Sequence, residues 1–341
     1  MKSILLIRFS ALGDILMTVP VVEALAHRYP DMQITMVSRP FVGSIFQRLP
    51  KNVKFLGINP RNYGGLMGLG RLYKELSALH PTHVCDLHDV LRTKYLRMRF
   101  KMAGIPTSHI VKDRKARKQF LTAEVKTQQE TSFERYAKAL RLLGFESIPV
   151  DGTVSDEALT AMKGDGAAKC DDGGMKKSVE RIGIAPFAAH QGKIYPLDKM
   201  EKVVQLLTER GVEVHLFGAG DKEKTLMEEW EKKYDKAHSA VGKLKNMAEE
   251  MELISQLDCM LTMDSGNMHL ASLTTTPVYS IWGATHPLGG FMGWKQTSDR
   301  CIQLDMPCRP CSIFGNKPCK FGDFRCLNNI TPEEIVSKLL S

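Results

Sequence analysis

Short apolar runs alternate along this chain with longer segments whose apolar positions recur every three or four residues. S-I-L-L-I-R at the start reads as a buried strand, Q-I-T-M-V-S as a second, V-K-F-L-G-I as a third and T-H-V-C-D-L as a fourth. Between the first two lies D-I-L-M-T-V-P-V-V-E-A-L-A-H-R, an apolar helix whose Pro20 predicts a kink or a late start. A short helix is expected around F-V-G-S-I-F-Q-R and another over R-L-Y-K-E-L-S-A-L. Strand and helix alternating at these lengths predict a parallel sheet covered by helices on both faces.

The alternation lapses over residues 152–180, where G-D-G-A-A-K-C-D-D-G-G-M-K-K is rich in glycine and charge. It then restarts. R-I-G-I-A-P-F, V-E-V-H-L-F-G, C-M-L-T-M and P-V-Y-S-I-W-G read as strands. P-L-D-K-M-E-K-V-V-Q-L-L-T-E-R, K-E-K-T-L-M-E-E-W-E-K-K, N-M-A-E-E-M-E-L-I-S-Q-L and M-H-L-A-S-L read as helices, the first ended by Gly211. The last helix, I-T-P-E-E-I-V-S-K-L-L, has Thr331 as N-cap, Pro332 in its first turn and Glu334 to close a capping box. The expected organisation is an α/β protein of two Rossmann-like domains with parallel sheets. Residues 1–155 form the first domain, 156–180 a linker, 181–325 the second, and 326–341 a closing helix.

Composition narrows the class. The chain has 341 residues, 43% hydrophobic and 25% charged, as expected of a water-soluble globular protein. No apolar run approaches the roughly 18–20 residues of a membrane span, and the N-terminal run meets Arg8 too soon for a signal peptide. A cytoplasmic protein is expected. The formal charge is +9, unevenly spread: residues 92–118 hold ten Lys or Arg against the single acid Asp113. Such a stretch suits a polyanionic partner or is a solvated helix face. Tyr95, Phe100 and Phe120 are few and fit helix-core spacing, so nucleic acid is not the expected partner. Cys308, Cys311, Cys319 and Cys326 carry one Cys-x2-Cys pair but no second close pair, which leaves a structural metal or reduced, packed thiols open.

The candidate chemistry sits in loops that follow strands. R-F-S-A-L-G-D, residues 8–14, puts Arg8, Gly13 and Asp14 between a strand and a helix, where backbone can approach a ligand and an acid is either a cap or a catalytic group. In the second half D-S-G-N-M-H places Asp264, Ser265, Gly266, Asn267 and His269 at a helix start that favours negative charge. A capped helix explains that loop alone. Lys193 in G-K-I-Y-P and Glu223 after F-G-A-G-D lie on two further post-strand loops, where a lysine reaches phosphate and an acid reaches ribose hydroxyls. Three such loops on neighbouring strands predict a nucleotide site. The chain has neither Asp-x-Asp nor G-x-x-x-x-G-K-[ST]. Metal-free neutralisation of a diphosphate by helix dipole, Lys and His is therefore expected, and a P-loop kinase is disfavoured. G-G-L-M-G-L-G has the wrong spacing for a dinucleotide loop.

R-F-S-A-L-G-D, D-L-H-D-V-L-R-T, G-K-I-Y-P, D-S-G-N-M-H-L-A, S-I-W-G-A-T-H-P and the cysteine-bearing tail, in this order along nearly the whole chain, resemble glycosyltransferase family 9, which contains the ADP-heptose:lipopolysaccharide heptosyltransferases. The resemblance implies a GT-B fold with its two sheets facing across a cleft, the donor on the C-terminal domain and the acceptor on the N-terminal one. It implies an inverting enzyme with no metal and no cofactor beyond the nucleotide-sugar co-substrate, here ADP-heptose. It makes Asp14 the general base. Lys193, with Glu223 and the loop Asp264, Ser265, Gly266, Asn267 and His269, would hold the donor, and Lys193 and His269 would stabilise the departing diphosphate. The acceptor would be an anionic lipid-linked saccharide at the inner membrane face. Arg8, Gly13, Arg61, Arg92, Arg114 and Arg117 would bind it, and the basic stretch would add peripheral membrane contact. The rival readings are another nucleotide sugar on the same fold, a nucleotide-sugar epimerase or hydrolase, and a polyanion binder without catalysis.

Overall fold

The computed structural model describes residues 2–145 and 179–341. The expected linker 156–180 lies almost wholly outside the described residues. The chain divides into two α/β units.

The first unit is built on five parallel strands, β1 (Ser3–Ile7), β2 (Gln33–Ser38), β3 (Val53–Gly57), β4 (His83–Asp86) and β5 (Thr107–His109), in the order β3-β2-β1-β4-β5. Its helices are α1 (Leu12–Leu16), α2 (Val19–Arg28), α3 (Gly43–Phe46), α4 (Gly65–Ser77) and α5 (Leu91–Met102). Two more follow in the chain, α6 (Arg114–Thr122) and α7 (Ser132–Arg141). The expected break at Pro20 is a restart: α1 ends at Leu16 and α2 begins at Val19 with the proline in its first turn, where no N–H is missed. Glycine-rich 64–70 forms the start of α4. Alternate residues of β1 point to opposite faces, and Leu5 and Ile7 join Leu72, Leu76, Leu96 and Phe100 in one buried cluster.

The second unit carries six parallel strands, β6 (Arg181–Ala185), β7 (Glu213–Leu216), β8 (Ala237–Ser239), β9 (Cys259–Met263), β10 (Val278–Ile281) and β11 (Cys301–Ile302), in the order β11-β10-β9-β6-β7-β8. Its helices are α8 (Leu197–Glu209), α9 (Asp221–Lys233), α10 (Met247–Ser255), α11 (Gly266–Ala271), α12 (Arg325–Asn328) and α13 (Pro332–Leu340). Strands β6 and β9 are buried along nearly their whole length, as central strands covered on both faces must be. The closing helix α13 has the expected capping box, with Thr331 Oγ1 accepting from Glu334 N–H and Glu334 Oε2 accepting from Thr331 N–H. Ile335, Val336 and Leu339 of α13 belong to the core of the second unit rather than to a separate piece.

One stretch divides otherwise than the sequence predicts. Arg114–Gln129, expected within a first domain of residues 1–155, belongs to the second unit. Phe120 of α6 is buried with its ring edge-on to His286, and Gln129 N–H donates to Leu288 O. The basic run 92–118 is therefore continuous in sequence but shared between two units.

Both sheets change direction of strand addition once, between β1 and β4 and between β6 and β9. In parallel α/β sheets ligands bind outside the carboxyl ends of the strands at such switch points.

Candidate active site

The switch point of the first unit is bordered by the loop after β1 and the turn after β4. The first carries Arg8 and leads into the first turn of α1, which holds Gly13 and Asp14. Asp14 Oδ2 accepts from Ala11 N–H at 3.1 Å, which caps α1, and pairs with Arg8 Nη2 at 2.6 Å. Arg8 is buried, and its Nη1 donates to Leu87 O, so the guanidinium ties the two loops together. Tyr136 of α7 lies under Arg8 and donates its hydroxyl to Asp14 O at 3.0 Å. Asp14 is thus both a cap and a half-exposed carboxylate at the mouth of the switch point, where a reacting hydroxyl can meet it.

The turn after β4 is organised by Asp86, which is fully buried. Its Oδ1 accepts the N–H groups of His88 and Asp89 at 2.9 and 2.8 Å, and its Oδ2 pairs with Arg97 at 3.1 Å. Asp89 takes a left-handed backbone conformation to make this turn, φ 49°. The turn aims His88 at the β1 loop, with Nε2 3.1 Å from Ser10 Oγ. Burial first, then the charges of Arg8 and Lys112, push the His88 imidazolium down to about 4. His88 and Ser10 were not singled out from the sequence. D-L-H-D was a motif there, but only the switch point gives its histidine a place beside Asp14.

The predicted acceptor residues do not all gather here. Arg92 stands in the first turn of α5, four positions beyond His88. Arg61 is exposed in the short turn after β3, at the far edge of the sheet from β4. Arg114 and Arg117 lie on α6 in the second unit, where Arg117 packs over the rings of Phe291 and Phe314 at 5.4 and 5.5 Å.

The switch point of the second unit brings Lys193, which follows β6, onto Asp264, which follows β9. Lys193 Nζ lies 2.9 Å from Asp264 Oδ2, and Thr285 Oγ1, from the loop after β10, donates to the same oxygen at 2.8 Å. Asp264 and Thr285 are buried. Ser265 caps α11 without a side-chain hydrogen bond, and its hydroxyl is buried without a partner. Gly266 and Asn267 form the half-buried first turn, and His269 is buried in the next. Glu223 sits in the first turn of α9, which follows β7, one strand beyond β6. Its Oε2 accepts Ala219 N–H at 2.7 Å, and burial pushes its carboxyl upward. It caps the loop that leads into its own helix.

The cysteine-bearing segment has a mechanical place in this site. Arg309 is buried and donates to Gly283 O, Thr285 O and Leu304 O, while Cys311 and Ser312 N–H both donate to Ala284 O. Gly315, at φ 73°, lies so close to Lys193 that a Cβ would stand 2.5 Å from its Cγ. The segment therefore backs the loops after β6 and β10. Cys308, Cys311, Cys319 and Cys326 are not disulfide-linked, and among the described residues no three His, Cys, Asp or Glu are grouped to hold a metal ion. A cavity of about 800 Å³ opens beside Arg309, with walls from Glu124 and Lys126 of the 114–129 stretch and from His286, Gln303 and Asp305.

These two switch-point loops can, respectively, take a proton from a hydroxyl and hold an anionic leaving group. Comparison with known proteins gives the family. The profile of glycosyltransferase family 9 (heptosyltransferase) matches residues 70–320, and the chain belongs to that family. Lipopolysaccharide heptosyltransferase 3 of Escherichia coli K12 is 25% identical over 301 residues, 86% of this chain and 84% of the relative. Lipooligosaccharide heptosyltransferase 2 of Campylobacter jejuni is 25% identical over 172 residues, 48% of this chain, and the match spans about half, 52%, of the relative's length. The solved structure of an E. coli ADP-heptose lipopolysaccharide heptosyltransferase II superposes with a TM-score of 0.68 at 19% identity, covering 99% of this chain and 97% of that one. That likeness gives the fold: α/β, two Rossmann-like units with parallel sheets, of the GT-B type.

Proposed function

We propose that this protein is an inverting glycosyltransferase that moves a heptose from ADP-heptose to an anionic, lipid-linked saccharide of the lipopolysaccharide inner core, without a metal ion. Family membership supports the transferase class. The heptose, the nucleotide and the acceptor come by analogy with the E. coli and Campylobacter heptosyltransferases. The observation that carries the reading is the convergence of Lys193, Asp264 and Thr285 from three neighbouring post-strand loops at a switch point.

In this reading the acceptor hydroxyl attacks the anomeric carbon as Asp14 takes its proton, the bond to the diphosphate breaks, and ADP leaves. Lys193, His269 and the first N–H groups of α11 stabilise the charge that builds on the departing diphosphate. Arg8 orients Asp14, and Gly13 leaves room for the acceptor. Arg92, with Arg61 as an outlying contact, binds acceptor anions. Arg114 and Arg117, carried by α6 of the second unit, remain acceptor contacts in this reading. No helix among the described residues is long and apolar enough to cross a membrane, and the exposed basic side chains of α5 and α6 suit a peripheral location on the cytoplasmic face.

Calorimetric titration with ADP, UDP, GDP and CDP, in EDTA and then with Mg²⁺, tests the donor half. Selective ADP binding in EDTA, weakened in Lys193→Ala, is expected. Tighter binding of another nucleotide removes ADP-heptose, and binding only with Mg²⁺ removes metal independence. Absence of any nucleotide binding sinks the reading.

A further inference from the structure

The cavity beside Arg309 lies wholly within the second unit, at the carboxyl ends of β10 and β11. Its walls come from the chain leaving α6, from His286 after β10 and from the segment after β11. At about 800 Å³ it has the size of a small-molecule site. The order β11-β10-β9-β6 puts it on the flank of the Asp264 loop away from Lys193. His286 directly follows Thr285, whose hydroxyl holds Asp264. An occupant of the cavity therefore lies beside the loop proposed to hold the donor.

The wall residues specify what that occupant is. Arg309 is 5% exposed and has no ion-paired carboxylate among the described residues. Four of its five N–H groups reach Gly283 O, Leu304 O, Thr285 O and Gln303 Oε1, which leaves one on Nη1. Gln303 spends its oxygen on this contact, so its amide N–H groups remain to donate. His286 Nδ1 accepts from Leu288 N–H at 3.1 Å, which puts the ring proton on Nε2 as a further donor. Burial first, then the charge of Arg309, push the His286 imidazolium down to about 4, so the ring is neutral. Glu124 and Asp305 are exposed carboxylates of the wall, without a hydrogen-bond or ion-pair partner among the described residues. Lys126 spends its ammonium on Phe120 O, Leu121 O and Ala123 O at the end of α6. Two cations and two carboxylates cancel, so the cavity favours neither sign of charge. An apolar occupant would leave the Arg309 and Gln303 N–H groups unmet. Hydroxyl groups, which donate and accept at once, match both sets.

We propose that this cavity binds an uncharged sugar unit of the acceptor saccharide. Glu124 and Asp305 accept from its hydroxyls, and Gln303, His286 and Arg309 donate to them. This rests on the transferase reading above and adds to its specificity: the acceptor carries a neutral sugar, attached by an earlier glycosyl transfer, besides its anionic groups.

The test titrates the protein with the methyl α-glycosides of glucose, mannose and galactose. The His286 ring signals, assigned by their loss in His286→Gln, are followed by NMR. Saturable shifts with at least one glycoside are expected, and none that saturate with sodium phosphate or acetate at constant ionic strength. Both carboxylates are exposed, so Glu124→Ala/Asp305→Ala should fold and keep its ADP affinity while binding the glycoside about tenfold more weakly or worse. No saturable shift with any glycoside, saturation by phosphate or acetate, or an unchanged glycoside affinity in the double variant overturns the site. The glycoside as inhibitor of transfer identifies the source of the sugar. Competition against acceptor supports an acceptor unit. Competition against ADP-heptose assigns the cavity to the donor's sugar, and inhibition relieved by neither substrate assigns it to a free saccharide; both overturn the acceptor role. ADP titration of the same samples keeps the two readings apart. Intact ADP binding with no glycoside response refutes this site alone, and a glycoside response without ADP binding refutes the donor reading alone.

Discussion

Replacing Lys193 with methionine keeps most of the side chain's volume and removes its charge. Asp264, whose side chain is 4% exposed, then keeps only the Thr285 hydroxyl as partner. At 2.9 Å and an effective dielectric near 20, the lost attraction is roughly 6 kcal/mol, and most of that offsets the desolvation of the two charges. Removing one partner of a buried pair typically costs about 3–5 kcal/mol. Lys193 retains 16% exposure, so a value near 3 kcal/mol is expected for the second unit. Thermal unfolding of Lys193→Met should fall by about 2–4 °C per kcal/mol. Adding Asp264→Asn removes the stranded charge and should recover much of that loss. It should not recover ADP affinity, because the lysine proposed to contact phosphate is still gone. The pair of readouts separates a structural ion pair from a donor site. An unchanged melting temperature in Lys193→Met, or a double variant no more stable than the single, would refute the account of a buried pair. ADP affinity returning with stability would refute the phosphate contact.

Asp14→Asn keeps the shape of the α1 cap while removing the proposed base. Transfer should fall by about 10²–10⁴-fold with ADP binding unchanged, and a turnover within tenfold of wild type would exclude Asp14 as the base. Gly315→Ala and Gly322→Ala share the same left-handed backbone penalty, at φ 73° and 78°, but only the first Cβ meets Lys193. Calorimetry should find ADP affinity reduced in the first alone. Glu250 has its carboxyl pushed up to about 7 by burial. Its neutral form is the one the fold accommodates, so its contribution is intact below the ordinary carboxylate range and is lost as pH rises through about 7. The loss is about 1–3 kcal/mol. Melting curves at pH 5 and pH 8 should converge in Glu250→Gln, and an unchanged pH dependence would exclude this source.

Strong periodicity made most of both units legible. Central strands such as S-I-L-L-I and C-M-L-T-M are continuous apolar runs because both faces are covered, and the helices between them show an apolar stripe. Strands β5, β8 and β11 were not seen, since segments of two or three residues carry no period. Helix α7 was not predicted, and α5 and α6 were legible only as a solvated helix face with Tyr95, Phe100 and Phe120 at core spacing. In α5 and α6 charge dominates and hides the few residues that are buried.

The residues of the site divide in the same way. Loop chemistry after strands was enough to single out Asp14, Lys193 and the Asp264 loop, because a Gly, an acid or a lysine between a buried strand and a helix has few structural uses. Which loops meet is a property of strand order, and strand order is not written in any local pattern. Only the order β3-β2-β1-β4-β5 sets His88 against Ser10, and only β10-β9-β6 brings Thr285 and Lys193 onto Asp264. Tertiary structure also decided that Arg114 and Arg117 leave the first unit, since the chain that carries them is held by Phe291 and Phe314 far along the sequence. Local sequence determines which segments bury an apolar face and which loops carry chemistry. Burying those faces against one another, a non-local requirement, determines which of the loops become a site.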